Sequence, residues 1–262
     1  MNIHTFCEGI QLDSEARQLV ESYQMKEAEY QAYKRLFYAD RKSFYEQVKR
    51  NEPYRLLFLY LYVRLAIDAY EAYEARGISQ DIYFATFHDI QIWCAVCKKS
   101  YGEYGLEEYQ WLQEHIRLQL FRLGRLQFQP YTFSRENNQT VLNVHIPEGD
   151  PLHPDLVQDS YAQAKAFFKD IPPMFICSSW LLYPGLHDIL PASSNILAFQ
   201  SDYELYEIHH EARQAEERIF GKLCDDPADY EEQTSLQRRA KSYLLAGHKL
   251  GNGSGIFRMS TV

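Results

Sequence analysis

The side chains best suited to chemistry in this 262-residue chain gather between residues 145 and 183. His145 lies near the end of a run of alternating residues, Thr140–Ile146, that Pro147 stops. A neutral imidazole near pH 7 can take or give a proton, and a strand end facing a cleft would place it for that work. The alternative is a histidine that ties down a turn by bonding backbone. Glu148 offers a base or a seat for an ammonium group, or is a plain solvated loop carboxylate. Ser178, Ser179 and Trp180 follow an apolar run and can line a pocket, with Trp180 otherwise anchoring a core. Tyr183 brings a phenol, which elsewhere serves as a packing residue with a polar tip. Cys177 could act as a nucleophile with His145, although its apolar setting favours an inert thiol. Gly251, Gly253 and Gly255 in GNGSG follow His248 and Lys249 and have the composition of a phosphate nest. They follow a helix instead of opening one, so a flexible terminal loop is the competing reading.

The totals exclude several classes. The formal net charge of −9 is spread along the chain, and no dense Lys/Arg run is present, so no nucleic-acid partner is expected. The longest apolar stretch, Leu56–Val63, falls well short of the roughly 20 residues a membrane span needs. The N-terminal residues lack a basic segment followed by an apolar one, so a cytoplasmic protein with no membrane partner is expected. Five cysteines, an odd number, argue for free thiols. Cys94 and Cys97 form a C-x-x-C inside a helical pattern, with no second pair and no histidine at ligand spacing, so no metal is expected.

The elements that must position these residues fall into two regions. Residues 1–121 read as helices. Asp13 or Ser14 caps one, Met25–Asp40 carries aromatics at helical spacing, and Pro53 opens a long helix through Arg76 that is apolar around much of its circumference. Ser79 starts a further helix that ends near Gly102, and another runs from beyond Gly105 to about Phe121. Residues 122–262 change period. Leu126 and Phe128 alternate with Arg125, Gln127 and Gln129 as in a half-buried strand, and a bulge or bend near Pro130 accounts for the shifted phase beyond it. Ser134–Gln139 is a turn. Leu142, Val144 and Ile146 then share one face of the return strand, with Asn143 and His145 on the other. A Pro/Gly/Asp loop over 147–155 leads into a helix, a buried strand at Phe175–Ser178, helical turns to Phe199, a segment Tyr203–Ile208 that fits a strand better than a helix, two more helices and a last strand at Ile256–Met259.

LGRLQFQ, VHIPEGDPL, FICSSWLLYPGLHDILPASSNILAFQ and TSLQRRAKSYLLAG together resemble a group of bacterial, largely Firmicutes, acyltransferase-like proteins. These join an N-acyltransferase N-terminal helical domain to a GNAT-like C-terminal domain. The resemblance spans essentially the whole chain. It implies an α+β protein in which a helical domain (1–121) precedes a GNAT-like mixed sheet with flanking helices (122–262). It also implies acyl-CoA as co-substrate and a small-molecule amine as acceptor. In that setting His145, with Glu148, would take the proton from the attacking amine, and Tyr183 would protonate the leaving thiolate. The loop after the return strand would hold the donor's pyrophosphate. The family's phosphate signature there is Gln/Arg-x-x-Gly-x-Gly/Ala. Here HIPEGDPLHPD carries one glycine, three prolines and three carboxylates. Proline removes a donor and carboxylates repel phosphate, so the donor is held differently or is not coenzyme A. Two other readings follow: a non-catalytic GNAT-like module that binds a small molecule or protein, or a hydrolase built on His145 and a carboxylate.

Overall fold

The computed structural model describes Met1–Met259. The chain divides into two compact units. The first comprises Met1–Leu123 with Pro147–Gly149, and the second Gly124–Ile146 with the chain from Asp150 onward.

The first unit is helical. Its helices are α1 (Ile3–Gly9), α2 (Ser14–Ser22), α3 (Glu27–Ala39), α4 (Arg41–Lys49), α5 (Tyr54–Ala75), α6 (Gln80–Phe87), α7 (Asp89–Tyr101) and α8 (Tyr109–Ile116), followed by the short strand β1 (Phe121–Leu123). Helix α5 lies at its centre, with Phe58, Leu59, Leu61, Tyr62 and Val63 buried. Tyrosines fill this core because each ring packs while its hydroxyl finds a buried carbonyl. Tyr62 donates to Tyr109 O, Tyr73 to His115 O at 2.9 Å and Tyr83 to Ala66 O at 2.8 Å. The single helix expected over 79–102 is two, because the chain turns at His88, whose Nδ1 meets Ile10 O at 2.8 Å. Helix α1, capped by the Asn2 side chain, has too few residues for its period to stand out in the sequence.

The second unit is built on strands β2 (Leu126–Phe133), β3 (Gln139–His145), β4 (Met174–Ser179), β5 (Glu204–His209) and β6 (Asn252–Arg258), in the order β2-β3-β4-β6-β5. β3 and β4 run parallel, and the other neighbours are antiparallel. The parallel pair is joined through α9 (Pro154–Phe167), the long crossover that such a pair requires. α9 covers one face of the sheet. Tyr161 from the helix meets Phe128, Phe175 and Phe257 with ring centroids 6.2, 4.8 and 4.8 Å apart. The opposite face buries Phe133, Val141, Ile176 and Ile256. A third cluster joins Leu186, Ile189 and Leu197 to α11 (Gln214–Phe220) and α12 (Ser235–Leu245). α12 opens with a full capping box on Thr234 and Gln237.

Two expectations are corrected. No bulge occurs at Pro130, because the β2–β3 register runs unbroken from Gln127↔His145 to Phe133↔Gln139. The apolar phase changes because Phe128 faces α9 while Phe133 faces the other core, so the strand is buried on both faces at different points. The glycine-rich segment is not a terminal loop. It forms β6, held between β4 and β5, and a Cβ on Gly253 would lie 2.2 Å from Leu182 O. These glycines allow backbones to approach closely, and the peptide groups of Gly253 and Gly255 belong to two ladders, while Gly251 lies just before the strand against His209 O.

Replacing Phe175 with alanine removes the ring between Phe128, Tyr161 and Phe257. It is expected to cost about 3–5 kcal/mol of unfolding free energy, read as a lower urea midpoint at unchanged slope. A loss within about 0.5 kcal/mol, the range of a surface change, would show that the sheet does not rest on this cluster.

Candidate active site

The site begins where a ladder ends. The β2–β3 pairing covers seven residue pairs and the β4–β6 pairing six. The parallel β3–β4 pairing covers two, Leu142↔Phe175 and Asn143↔Ile176. Beyond them Val144 and His145 on one side, and Cys177 to Ser179 on the other, are not paired across this gap in the described ladder. β4 remains paired with β6 as far as Ser179↔Gly253. Peptide groups along a strand point alternately to its two neighbours, so at least one N–H or C=O between Cys177 and Ser179 faces the gap.

Alternation also sorts the side chains. Leu142 and Val144 turn towards the α9 core, while Asn143 and His145 turn to the other face. Across the ladder Gln127 stands opposite His145, and Gln129 opposite Asn143. The imidazole is oriented by two of these amides: its Nε2 lies 3.2 Å from Asn143 Nδ2 and 3.3 Å from Gln129 Oε1. One nitrogen cannot both accept from the first and donate to the second. A half-turn of either amide resolves the pair. With Asn143 turned, Nε2–H donates to Gln129 and the lone pair sits on Nδ1. With Gln129 turned, Nε2 accepts from Asn143 and Nδ1 carries the proton. These two amides are neutral. His145 is half-buried.

Ser178 is on the same face as His145 and exposed, and its Oγ accepts from Ser254 Oγ at 2.9 Å. Ser179 is on the α9 face, where its Oγ accepts from Leu181 N–H. Trp180 starts a short 3-10 turn and packs against the α11–α12 cluster. Tyr183 belongs to that cluster, 6 % exposed, with its hydroxyl 3.1 Å from His210 Nδ1 just beyond β5. Burial, with a smaller push from Asp188, raises its phenol above the ordinary range. Its hydroxyl is therefore engaged on the β5 side of β4, whereas His145 lies on the β3 side. Glu148 is exposed on the loop that leaves β3. Cys177 is buried on the α9 side, and burial pushes its thiol up to about 12. Among the described residues no group of three or more His, Cys, Asp or Glu is arranged to hold a metal ion. Among the described residues no helix is long and apolar enough to cross a membrane.

Four residues that matter here escape a reading of single segments. Gln129 and Asn143 orient the imidazole. Gln127, 1 % exposed, keeps its Nε2 without a hydrogen-bond partner directly across from His145. Arg125, expected on the polar face, is 6 % exposed. The signal for the first three was present: in a hairpin closed by Ser134–Gln139, residues opposite His145 and Asn143 share their face.

A mixed sheet with a crossover helix and an interrupted parallel ladder defines a GNAT-type fold. The sequence agrees: residues 120–257 match the GNAT-like C-terminal domain and residues 1–118 the N-acyltransferase N-terminal domain. The chain belongs to the GNAT-like C-terminal domain family. Among solved structures it is similar to an acyltransferase in complex with decanoyl-CoA and teicoplanin, at TM-score 0.81 and 20 % identity over 98 % of this chain and 87 % of that one. It is also similar to an acyltransferase in complex with decanoyl-CoA, at TM-score 0.80 and 21 % identity over the same shares. An acyltransferase mutant in complex with octanoyl-CoA aligns at TM-score 0.81 and 20 % identity, again over 98 % and 87 %. No curated protein matches the sequence.

A thiol held near 12 stays protonated at pH 8. Native protein treated with iodoacetamide at that pH is expected to show no alkylated Cys177 by peptide mass spectrometry, while half-buried Cys224 reacts first. Labelling of Cys177 at the rate of Cys224 would restore it as a nucleophile.

Proposed function

We propose that this protein is an N-acyltransferase that moves an acyl group from acyl-CoA to an amine. The observation that carries this reading is the β3–β4 ladder that stops at Asn143↔Ile176 with His145 at its open edge. An extended pantetheine arm has two amides of its own. It can use an unpaired strand edge as an added strand would, through backbone hydrogen bonds. The family membership and the acyl-CoA complexes of similar structures support the same donor.

In the proposed reaction the neutral amine attacks the thioester carbonyl and a C–N bond forms. His145 takes one proton from the nitrogen through the ring nitrogen that carries the lone pair. The tetrahedral centre collapses, the C–S bond breaks, and the thiolate leaves with the electron pair and is then protonated. Gln129 and Asn143 hold the ring for this task, and Ser178 lines the same face. The acceptor is proposed to be a small-molecule amine. Engagement of Tyr183 with His210 speaks for a packing role, and leaving-group protonation is assigned to His145 or water. The acidic, proline-containing loop after β3 favours the alternative of a GNAT-like module that binds a ligand without turning it over.

Decanoyl-CoA titrated by calorimetry is expected to bind, and an amine panel to give acylated product. His145→Ala is expected to lower kcat by about 10²–10⁴, the worth of a general base, and to leave the Kd for decanoyl-CoA near that of the wild type. Binding without turnover by either protein would select the module. No heat and no thermal shift at millimolar decanoyl-CoA would overturn the donor assignment.

A further inference from the structure

The loop after β3 poses a problem that the acyl-CoA reading does not solve by itself. Pro147, Pro151 and Pro154 lack N–H groups, and Glu148, Asp150 and Asp155 are acidic. α9 behind it has Pro154 in its first turn and no side-chain cap on His153. Such a segment is a poor cradle for a pyrophosphate unless something fixes its backbone and offsets its charge.

Arg125 meets both needs. A guanidinium stays charged at any working pH, and burying one is costly unless its donors are well used. Arg125 is 6 % exposed. Its Nε donates to Asp150 O at 2.9 Å and to Pro151 O at 3.3 Å, and its Nη2 donates to Asp150 O at 2.5 Å. Two successive carbonyls are thus turned towards one cation. In a trans peptide the N–H points away from the C=O, so this grip also turns the Leu152 N–H away from Arg125. The other side of Arg125 is tied to α9. Its own N–H and that of Leu126 donate to Ser160 Oγ at 2.7 and 3.3 Å, and Ser160 in turn donates to Leu156 O at 2.8 Å. Gly124 makes room for this contact, since a Cβ there would stand 2.8 Å from Ser160 Oγ.

We propose that Arg125 is the positioning residue for the nucleotide end of acyl-CoA: it clasps the loop backbone at Asp150–Pro151 to the middle of α9 at Ser160 and places a buried positive charge against the backbone of an acidic loop, so that the loop can accept the donor's phosphates. The proposal rests on the acyl-CoA reading above. It separates the phosphate end of the donor, which depends on Arg125, from the thioester end, which depends on the strand gap.

The test uses the full chain with Arg125→Gln and Arg125→Lys, checked for folding by circular dichroism. Coenzyme A and decanoyl-pantetheine, which lacks the nucleotide, are titrated by calorimetry. Amide exchange over 149–156 is followed by mass spectrometry. Arg125→Gln is expected to weaken coenzyme A about tenfold or more, the scale of a lost charged hydrogen bond. It is expected to speed exchange over 149–156 and to leave decanoyl-pantetheine affinity as it was. Arg125→Lys, which keeps the charge, is expected to fall between and guards against a folding defect in the first variant. Equal weakening of both ligands, or unchanged coenzyme A affinity, would overturn the proposal. Wild-type protein that binds neither ligand would instead overturn the acyl-CoA reading.

Discussion

Backbone groups at a strand edge need partners, and the site depends on one place where a sheet withholds them. β3 and β4 pair at Leu142↔Phe175 and Asn143↔Ile176, and then the ladder stops. The strands continue as strands: β3 reaches His145 through its pairing with β2, and β4 reaches Ser179 through its pairing with β6. Each is therefore held firmly from its outer side while its inner side is left open. A gap flanked by paired strands in this way is stiffer than a loop. That suits it to an extended, amide-bearing ligand arm.

The firmness has identifiable sources. On the α9 side Tyr161 and Phe175 lock the helix to β4, and Phe257 locks it to β6, so the crossover cannot slide along the sheet. On the β6 side glycines let neighbouring backbone come within contact of the strand, as at Gly253 and Leu182. Register then does the sorting. Because side chains alternate, one residue of slip in β3 would send His145 into the aromatic core and Val144 onto the polar face. The seven-pair ladder with β2 holds that register. The chemistry of the site is thus fixed by packing on the face away from it.

Much of this was legible in the sequence. The hairpin, the crossover helix, the buried strand at Phe175 and the face of His145 all follow from period-2 patterning and turn residues. What was hidden has physical causes. Alternation was read as inside and outside, but β2 is covered on both faces, so Gln127 is buried and Phe133 looked out of phase, and Arg125 just before the strand is buried against the 150–151 loop. Composition made Gly251–Gly255 look like a loop, whereas close backbone packing in β6 is what required glycine. The partner of Tyr183, His210, lies 27 residues further on, and no local pattern announces it. The resemblance to acyltransferase-like proteins identified the family before any of these contacts was known, and it said nothing about how an unusual loop is supported.

Charge ties the two halves of the candidate site together. Around His145 the orienting groups include two amides, Gln129 and Asn143, which fix the imidazole. At the loop, Glu148, Asp150 and Asp155 are acidic, and the buried guanidinium of Arg125 holds the backbone carbonyls of Asp150 and Pro151. In the proposed reaction the two amides orient the ring that moves the proton, and in the proposed donor complex Arg125 supports the loop that receives the phosphates. That division of labour is coherent for a donor with a thioester at one end and phosphates at the other.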